Sequence, residues 1–258
     1  MTTWTAPQLA TFLGQLKLKG DRLEVAILLG ATTGMRRGEV LGLRWQDVDL
    51  DKGRLSVRQT LSAPRNPDTG QHVPVFREPK TRRGRRSVPL PAATVAALRA
   101  HKTAQKRERM MVGPGWTDHG LVFCEPDGQP INPDRFRKRF EIRVARSELP
   151  LIRFHDLRHT CATLALQAGI HAKVVSEILG HASIGITLDT YSHAVPGAPG
   201  AGGRDSRGPG VQRLCESPVA VLGDCVRLRR PAPGMTHNGS GAHSCLGDEL
   251  SAVVPAST

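Results

Sequence analysis

Within "FHDLRHT", residues 154–160, His155 and Arg158 stand three positions apart. On a helix that spacing puts an imidazole and a guanidinium on one face. A guanidinium grips two phosphate oxygens in a fork, and an imidazole exchanges a proton near neutral pH. The same residues also fit a plain helix start with a surface arginine and a capped histidine. His155 and His159 share the i, i+4 spacing of a zinc helix, but Asp156 stands where that motif has Glu. His171 and His181 are third-ligand candidates only by being present. Farther on, "LGHASIGITLDTYSH" sets His181 ten residues before Tyr191, the sole tyrosine of the chain. A lone phenol is commonly a packing residue with its hydroxyl at the surface, and it is also a competent nucleophile. Two more stretches carry cations. "TGMRRGEVLGLRW" holds Arg36 and Glu39 three apart, readable as an exposed ion pair, and "EPKTRRGRRSVPLP" holds Lys80 and four arginines.

These residues need elements to position them. "TAPQLATFLGQLKL" reads as a helix opened by a Thr5-x-x-Gln8 capping box, with Leu9, Phe12, Leu13 and Leu16 on one face. "DRLEVAILLGATTG" reads as a second helix with Asp21 as N-cap and Gly34 as its end. "RRGEVLGLRW" predicts a short third. "RLSVRQTL", "HVPVFREP" and "RRSVPLP" alternate as strands do and predict a small three-stranded antiparallel sheet, with Lys80 in a hairpin turn. "PAATVAALRAHKTAQKRER" and "NPDRFRKRFEIRVARSE" are helical, "LVFC" is strand-like, and helices are expected over 155–168, 171–180 and 183–193. From Pro196 the Gly- and Pro-rich chain has no hydrophobic period, so a disordered tail is expected over 196–258.

Composition narrows the class. Lys plus Arg number 36 against 23 acidic residues, a formal charge of +13. Such an excess points to a polyanionic partner, either nucleic acid or an anionic membrane surface. No apolar run approaches the roughly 18 residues that a membrane span needs. "MTTWTAPQLATFL" lacks the basic-then-apolar order of a secretory signal, and the five cysteines form no C-x-x-C pair. A reducing cytoplasm is the expected compartment.

The ordered set Arg36, Lys80, His155, Arg158, His181, Tyr191 resembles that of the tyrosine recombinase, or phage integrase, family. The resemblance rests on "TGMRRGEVLGLRW", "PKTRRGRRSVPLP", "FHDLRHT" and "LGHASIGITLDTYSH" and covers about residues 3–195. It implies the α+β, mainly α, fold of the family's catalytic domain over 1–195. It also implies double-stranded DNA as partner, a homotetramer on DNA, and no cofactor or metal. By the same resemblance, Tyr191 attacks a scissile phosphate to give a 3′-phosphotyrosyl bond and a free 5′-hydroxyl. Arg36 and Arg158 would neutralise the non-bridging oxygens, and Lys80 would protonate the leaving 5′-oxygen. His155 would assist proton transfer and His181 would hold the phosphate. Glu39 is expected to brace Arg36, and His159 to be a buried, hydrogen-bonded imidazole with a structural role.

Two departures from the family pattern bear on activity. An N-terminal DNA-gripping helical domain, usual in the family, is expected to be missing. Where the family typically adds a short subunit-coupling helix, the stretch after Pro196 is Gly-rich and is not expected to serve. A shift of reading frame just after Pro196–Gly197 is the hypothesis. The alternative to an active recombinase is therefore a catalytically impaired, DNA-binding remnant. A type IB topoisomerase shares the tyrosine chemistry but matches "HDLRHT" and "LGHAS" less well.

Overall fold

A computed structural model describes residues 2–79, 84–181 and 183–191. Helix α1 (Ala6–Leu18) opens as its sequence dictates: the Thr5 hydroxyl accepts from the Gln8 N–H, and the Gln8 side chain accepts from the Thr5 N–H. Its apolar face, Leu9, Phe12, Leu13 and Leu16, is buried. Helix α2 (Glu24–Thr33) is buried almost throughout and ends at Gly34, whose φ of 63° is left-handed. Its start differs from the expected Asp21 N-cap. Leu23 occupies that position, and the carboxylate of Asp21, two residues before this N-cap, instead accepts from the Leu23 N–H at 2.8 Å. Helix α3 (Arg37–Leu41) follows at once.

The strands are β1 (Val48–Asp49), β2 (Arg54–Val57), β3 (Thr60–Ser62), β4 (Val75–Arg77) and β5 (Arg86–Pro89). A three-stranded antiparallel sheet exists, in the order β1-β2-β5, and β3 and β4 pair separately. Thus "HVPVFREP" does not join the sheet that the sequence predicts, and β1 takes the third place. The run that holds Lys80 therefore joins strands with different partners, β4 to β3 and β5 to β2, and not the two arms of one hairpin. "LVFC" forms no strand either. It is buried and makes only single bridges, Leu121 with Arg44 and Cys124 with Pro130. A fully buried apolar run looks strand-like in sequence whatever its backbone does.

Helix α4 (Ala92–Val112) starts after Pro91, and α5 (Pro133–Ala145) is capped by the Asn132 side chain. Helices α6 (Phe154–Gln167), α7 (Ala172–Leu179) and α8 (Ile184–Tyr191) follow, each starting within one residue of expectation. Helices α6 and α7 also end within one, and the expected end of α8 at 193 lies outside the described residues. The main core joins α1, α2, α5, α6 and the three-stranded sheet. Its aromatic centre is a run of edge-to-face contacts, Trp4 on Phe12, Phe12 on Phe140, and Phe140 and Phe136 on Phe154. A second, smaller core holds Ala162, Ala165, Leu166, Val175, Leu179 and Tyr191. Among the described residues no helix is long and apolar enough to cross a membrane.

Helix α2 lies against α6 so closely that a Cβ on Gly30 would sit 2.5 Å from the Phe154 ring. Phe154 is buried and held by two other rings, so it has little room to yield. Gly30→Ala is expected to lower unfolding free energy by about 1–3 kcal/mol, the usual cost of overpacking. Urea denaturation measures it, and an unchanged midpoint would refute the close packing.

Candidate functional site

Helix α6 carries three of the residues singled out by sequence. The Asp156 carboxylate closes its start by accepting from the Arg153 backbone N–H at 2.8 Å and from the Arg153 guanidinium. Burial would raise the Asp156 carboxyl pKa, but these bonds to Arg153 outweigh it and hold the group below its ordinary range. Capping fixes the first turn, and with it the directions of His155, Arg158 and His159.

Arg158 is 3% exposed. Its Nη1 donates to the Gly34 carbonyl at 2.8 Å and its Nη2 to the Leu179 carbonyl at 2.7 Å. Both acceptors lie at helix C-terminal ends, Gly34 closing α2 and Leu179 ending α7 before the left-handed Gly180. Such ends carry partial negative charge, which suits a buried cation. Burial, followed by repulsion from Arg36 and Arg86, still lowers the Arg158 pKa to about 10.

Arg36 sits just before α3, with its side chain 46% exposed. Its backbone N–H and its Nη1 both donate to Glu39, each at 2.9 Å. Glu39 itself is buried and receives a second, two-pronged contact from Arg86, at 2.9 and 3.1 Å. Burial pushes the Glu39 pKa up, but the Arg86 bonds and charge, with help from Arg36, bring it below the usual range. Arg86 also donates from Nε to the Ile178 carbonyl at 2.6 Å, tying β5 to α7. The Arg36–Glu39 pair is therefore not a loose surface bridge: its carboxylate is the buried hub of two arginines. Arg36, Arg86 and Arg158 set against the single Glu39 carboxylate leave two uncompensated positive charges, open to solvent at Arg36.

Histidines line the same place. His155 is exposed, and its ring meets the edge of His159 with centroids 5.0 Å apart. His181 Nδ1 lies 2.8 Å from the Thr187 hydroxyl. Burial, then Arg158 and Arg36, depress the His181 pKa to about 4, and burial lowers His155 and His159 as well. Tyr191, 1% exposed at the end of α8, has its hydroxyl 2.6 Å from His159 Nδ1. Burial raises the phenol pKa to about 12, against a smaller opposing pull from Arg158.

Of the residues picked out by sequence, Arg36, His155, Arg158, His181 and Tyr191 thus gather around one electropositive spot. Lys80 lies outside the described residues, as does the tail from Pro196. Sequence reasoning passed over Arg86, hidden in a run of arginines that reads as solvated. It gave His159 a buried, hydrogen-bonded, structural role; the imidazole is hydrogen-bonded but only half-buried, and its partner is Tyr191. Among the described residues no three His, Cys, Asp or Glu side chains are grouped to hold a metal ion.

Residues 3–196 match the phage integrase family. The chain belongs to that family. A tyrosine recombinase XerC-like protein of Caldanaerobacter subterraneus is 34% identical over 185 residues, covering 69% of this chain and 47% of that protein. An integrase of Streptomyces ambofaciens is 30% identical, covering 67% of this chain and 45% of its own length. The family member described here thus spans about half the length of these curated relatives. Among solved structures, the Tn1549 transposon integrase in complex with transposon right end DNA superposes with a TM-score of 0.62 at 25% identity. That likeness covers 74% of this chain and 61% of the other. The XerA recombinase, at 21% identity and a TM-score of 0.58 over 75% of this chain and 58% of its own, shares the fold. The mainly helical architecture with small antiparallel sheets is therefore that of tyrosine recombinase catalytic domains.

The depressed histidines carry a pH consequence for this integrase-family site. His155, His159 and His181 bind protons less readily folded than unfolded, so the unfolded chain takes up more protons as pH falls below about 6.5. Stability is then expected to fall with pH from about 6.5 toward 4, where His181 itself becomes protonated. The lowered carboxyls of Glu39 and Asp156 add loss in the same direction at the acid end. Thermal midpoints measured across this window should decline, and more gently in His181→Gln. An identical slope in that variant would remove His181 from the account.

Proposed function

We propose that the chain carries the strand-exchange chemistry of a site-specific DNA recombinase of an integrating mobile element. The observation that carries the reading is the convergence of Arg36, Arg86 and Arg158 on a place reached by Tyr191, with one carboxylate to offset three guanidiniums. A phosphodiester bound there relieves the mutual repulsion of the arginines, and the relief grows as negative charge builds in the transition state. Tyr191 attacks phosphorus to form the 3′-phosphotyrosyl bond and release a 5′-hydroxyl. A second 5′-hydroxyl reverses the step on a new partner, so bond energy is kept without a nucleotide cofactor. Arg36 and Arg158 bind the non-bridging oxygens, His181 orients the phosphate, and His155 and Lys80 serve proton transfer to and from the 5′-oxygen. No step calls for a metal.

In this reading residues 1–195 form the catalytic domain, residues 196–258 take no part in catalysis, and the enzyme acts in the cytoplasm as a tetramer on double-stranded DNA. The formal charge of +13 supports the partner, since phosphate neutralisation supplies most sequence-independent affinity.

The test is covalent capture. Randomly nicked fragments of the genome that encodes the chain are incubated with it, and complexes that survive detergent are recovered and sequenced. The wild-type chain should yield adducts at a defined sequence, and Tyr191→Phe should yield none. Salt-sensitive DNA binding with no adduct in either protein would instead mark the chain as a DNA-binding remnant.

A further inference from the structure

Recombination by Tyr191 leaves one proton unaccounted for: the phenol must lose it while buried. Water is a poor acceptor there, because the side chain is 1% exposed. The neighbouring arginine cannot accept a proton at all. Of the histidines, His181 has its Nδ1 on the Thr187 hydroxyl, and His155 meets the His159 ring, not the phenol. His159 alone among them has a ring nitrogen on the phenolic oxygen, at 2.6 Å.

We propose that His159 is a catalytic residue, the general base whose Nδ1 takes the phenolic proton as the Tyr191 oxygen attacks phosphorus. This rests on the reading of Tyr191 as nucleophile. In the step, the proton moves from Tyr191 Oη to His159 Nδ1, the Oη–P bond forms, and the bond from phosphorus to the 5′-oxygen breaks. That oxygen leaves with a proton from the general acid, Lys80 in the reading above. When the step reverses, His159 returns its proton to Tyr191.

Three surroundings favour this assignment. The distance already lies within reach for general-base catalysis, with no rearrangement of the pair required. Burial, then the nearby His155, keep the His159 imidazole below its ordinary pKa, so near neutral pH it is uncharged, and its Nε2–H tautomer leaves the Nδ1 lone pair for the phenol. The phenol, raised to about 12, is a weak acid, so its attack near neutral pH needs a base. Once the proton has moved, both charges have partners. The Asp156 carboxylate, three residues earlier on α6, favours the imidazolium, and the Arg158 guanidinium favours the phenolate oxygen.

The experiment uses the full chain and the sequence recovered by covalent capture, in two nicked duplexes. One carries the ordinary 5′-oxygen at the scissile phosphate, the other a bridging 5′-sulfur, which departs as a thiolate without protonation. His159→Ala should lower single-turnover cleavage of the ordinary duplex about 10²–10⁴-fold, the usual worth of a general base. The loss should persist with the sulfur duplex, and added imidazole should restore part of it. His159→Gln, which keeps a hydrogen-bond acceptor but no base, should be folded and equally slow. Its rate should also lack the fall on acidification that protonation of His159 imposes on the wild type. Rescue of His159→Ala by the sulfur duplex would place its defect at the leaving group and overturn the proposal. Undiminished cleavage by His159→Gln would overturn it too, leaving His159 as a positioning residue. A wild-type chain that forms no adduct with any fragment would instead refute the recombinase reading, a different failure.

Discussion

Arg158→Ala is expected to lose strand cleavage by about 10³-fold, because a preorganised donor aimed at the developing charge is removed. The same change strips the buried Gly34 and Leu179 carbonyls of their donors. Stability should therefore fall as well, by about 2–4 kcal/mol, on the scale of two unsatisfied buried acceptors. Arg158→Lys separates the two effects. An ammonium keeps the charge but lacks the planar fork that reaches both carbonyls, so part of the stability should return while cleavage stays low. Urea denaturation reads the first quantity and single-turnover adduct formation the second. Nonspecific DNA binding should survive in both variants, because it is spread over many exposed cations. Full cleavage in Arg158→Ala would dismiss its place on the phosphate. Loss of all DNA binding in a folded Arg158→Lys would do so too.

Glu39→Ala is expected to cost about 3–5 kcal/mol, the penalty for breaking a buried ion pair from one side. It would leave Arg86, with a side chain only 6% exposed, facing Arg158 and Arg36 with no carboxylate between them. The double replacement Glu39→Met with Arg86→Leu should be less damaging than the single one, since no buried charge is stranded. Chemical denaturation of the wild type and the two variants checks the order. A double variant less stable than Glu39→Ala would overturn this order and show that the pair contributes more than it costs to bury.

Much of the architecture was legible because it is local. The Thr5–Gln8 box, the left-handed Gly34 and the apolar face of α1 act within a turn or two of chain, and each element lies where those signals place it. Strand pairing was not legible in the same way. Which partner "HVPVFREP" takes is decided by chain brought from elsewhere, and no alternation within the segment encodes it. The site divides along the same line. Arg36, His155, Arg158, His181 and Tyr191 were picked out by type, spacing and order. Arg86 was not, because its carboxylate partner is 47 residues away and it stands in a run with three other arginines. The His159–Tyr191 contact spans 32 residues and was likewise invisible. Asp21 shows the limit even for a local signal: its carboxylate bonds the backbone near the helix start, yet two residues early.

The small core that buries Tyr191 stands apart from the main one. Its six side chains are drawn from α6, α7 and α8, and α7 is moored to the rest of the fold by Arg86 on Ile178 and Arg158 on Leu179. Stability in such a molecule is not one quantity. The segment bearing the phenol can open at the cost of its own few contacts while the aromatic centre stays closed, in the manner of a sub-global unfolding unit. Backbone amides of α8 should then exchange with deuterium well before those of α2, and the gap between the two rates measures how cheaply the chain can free its only tyrosine.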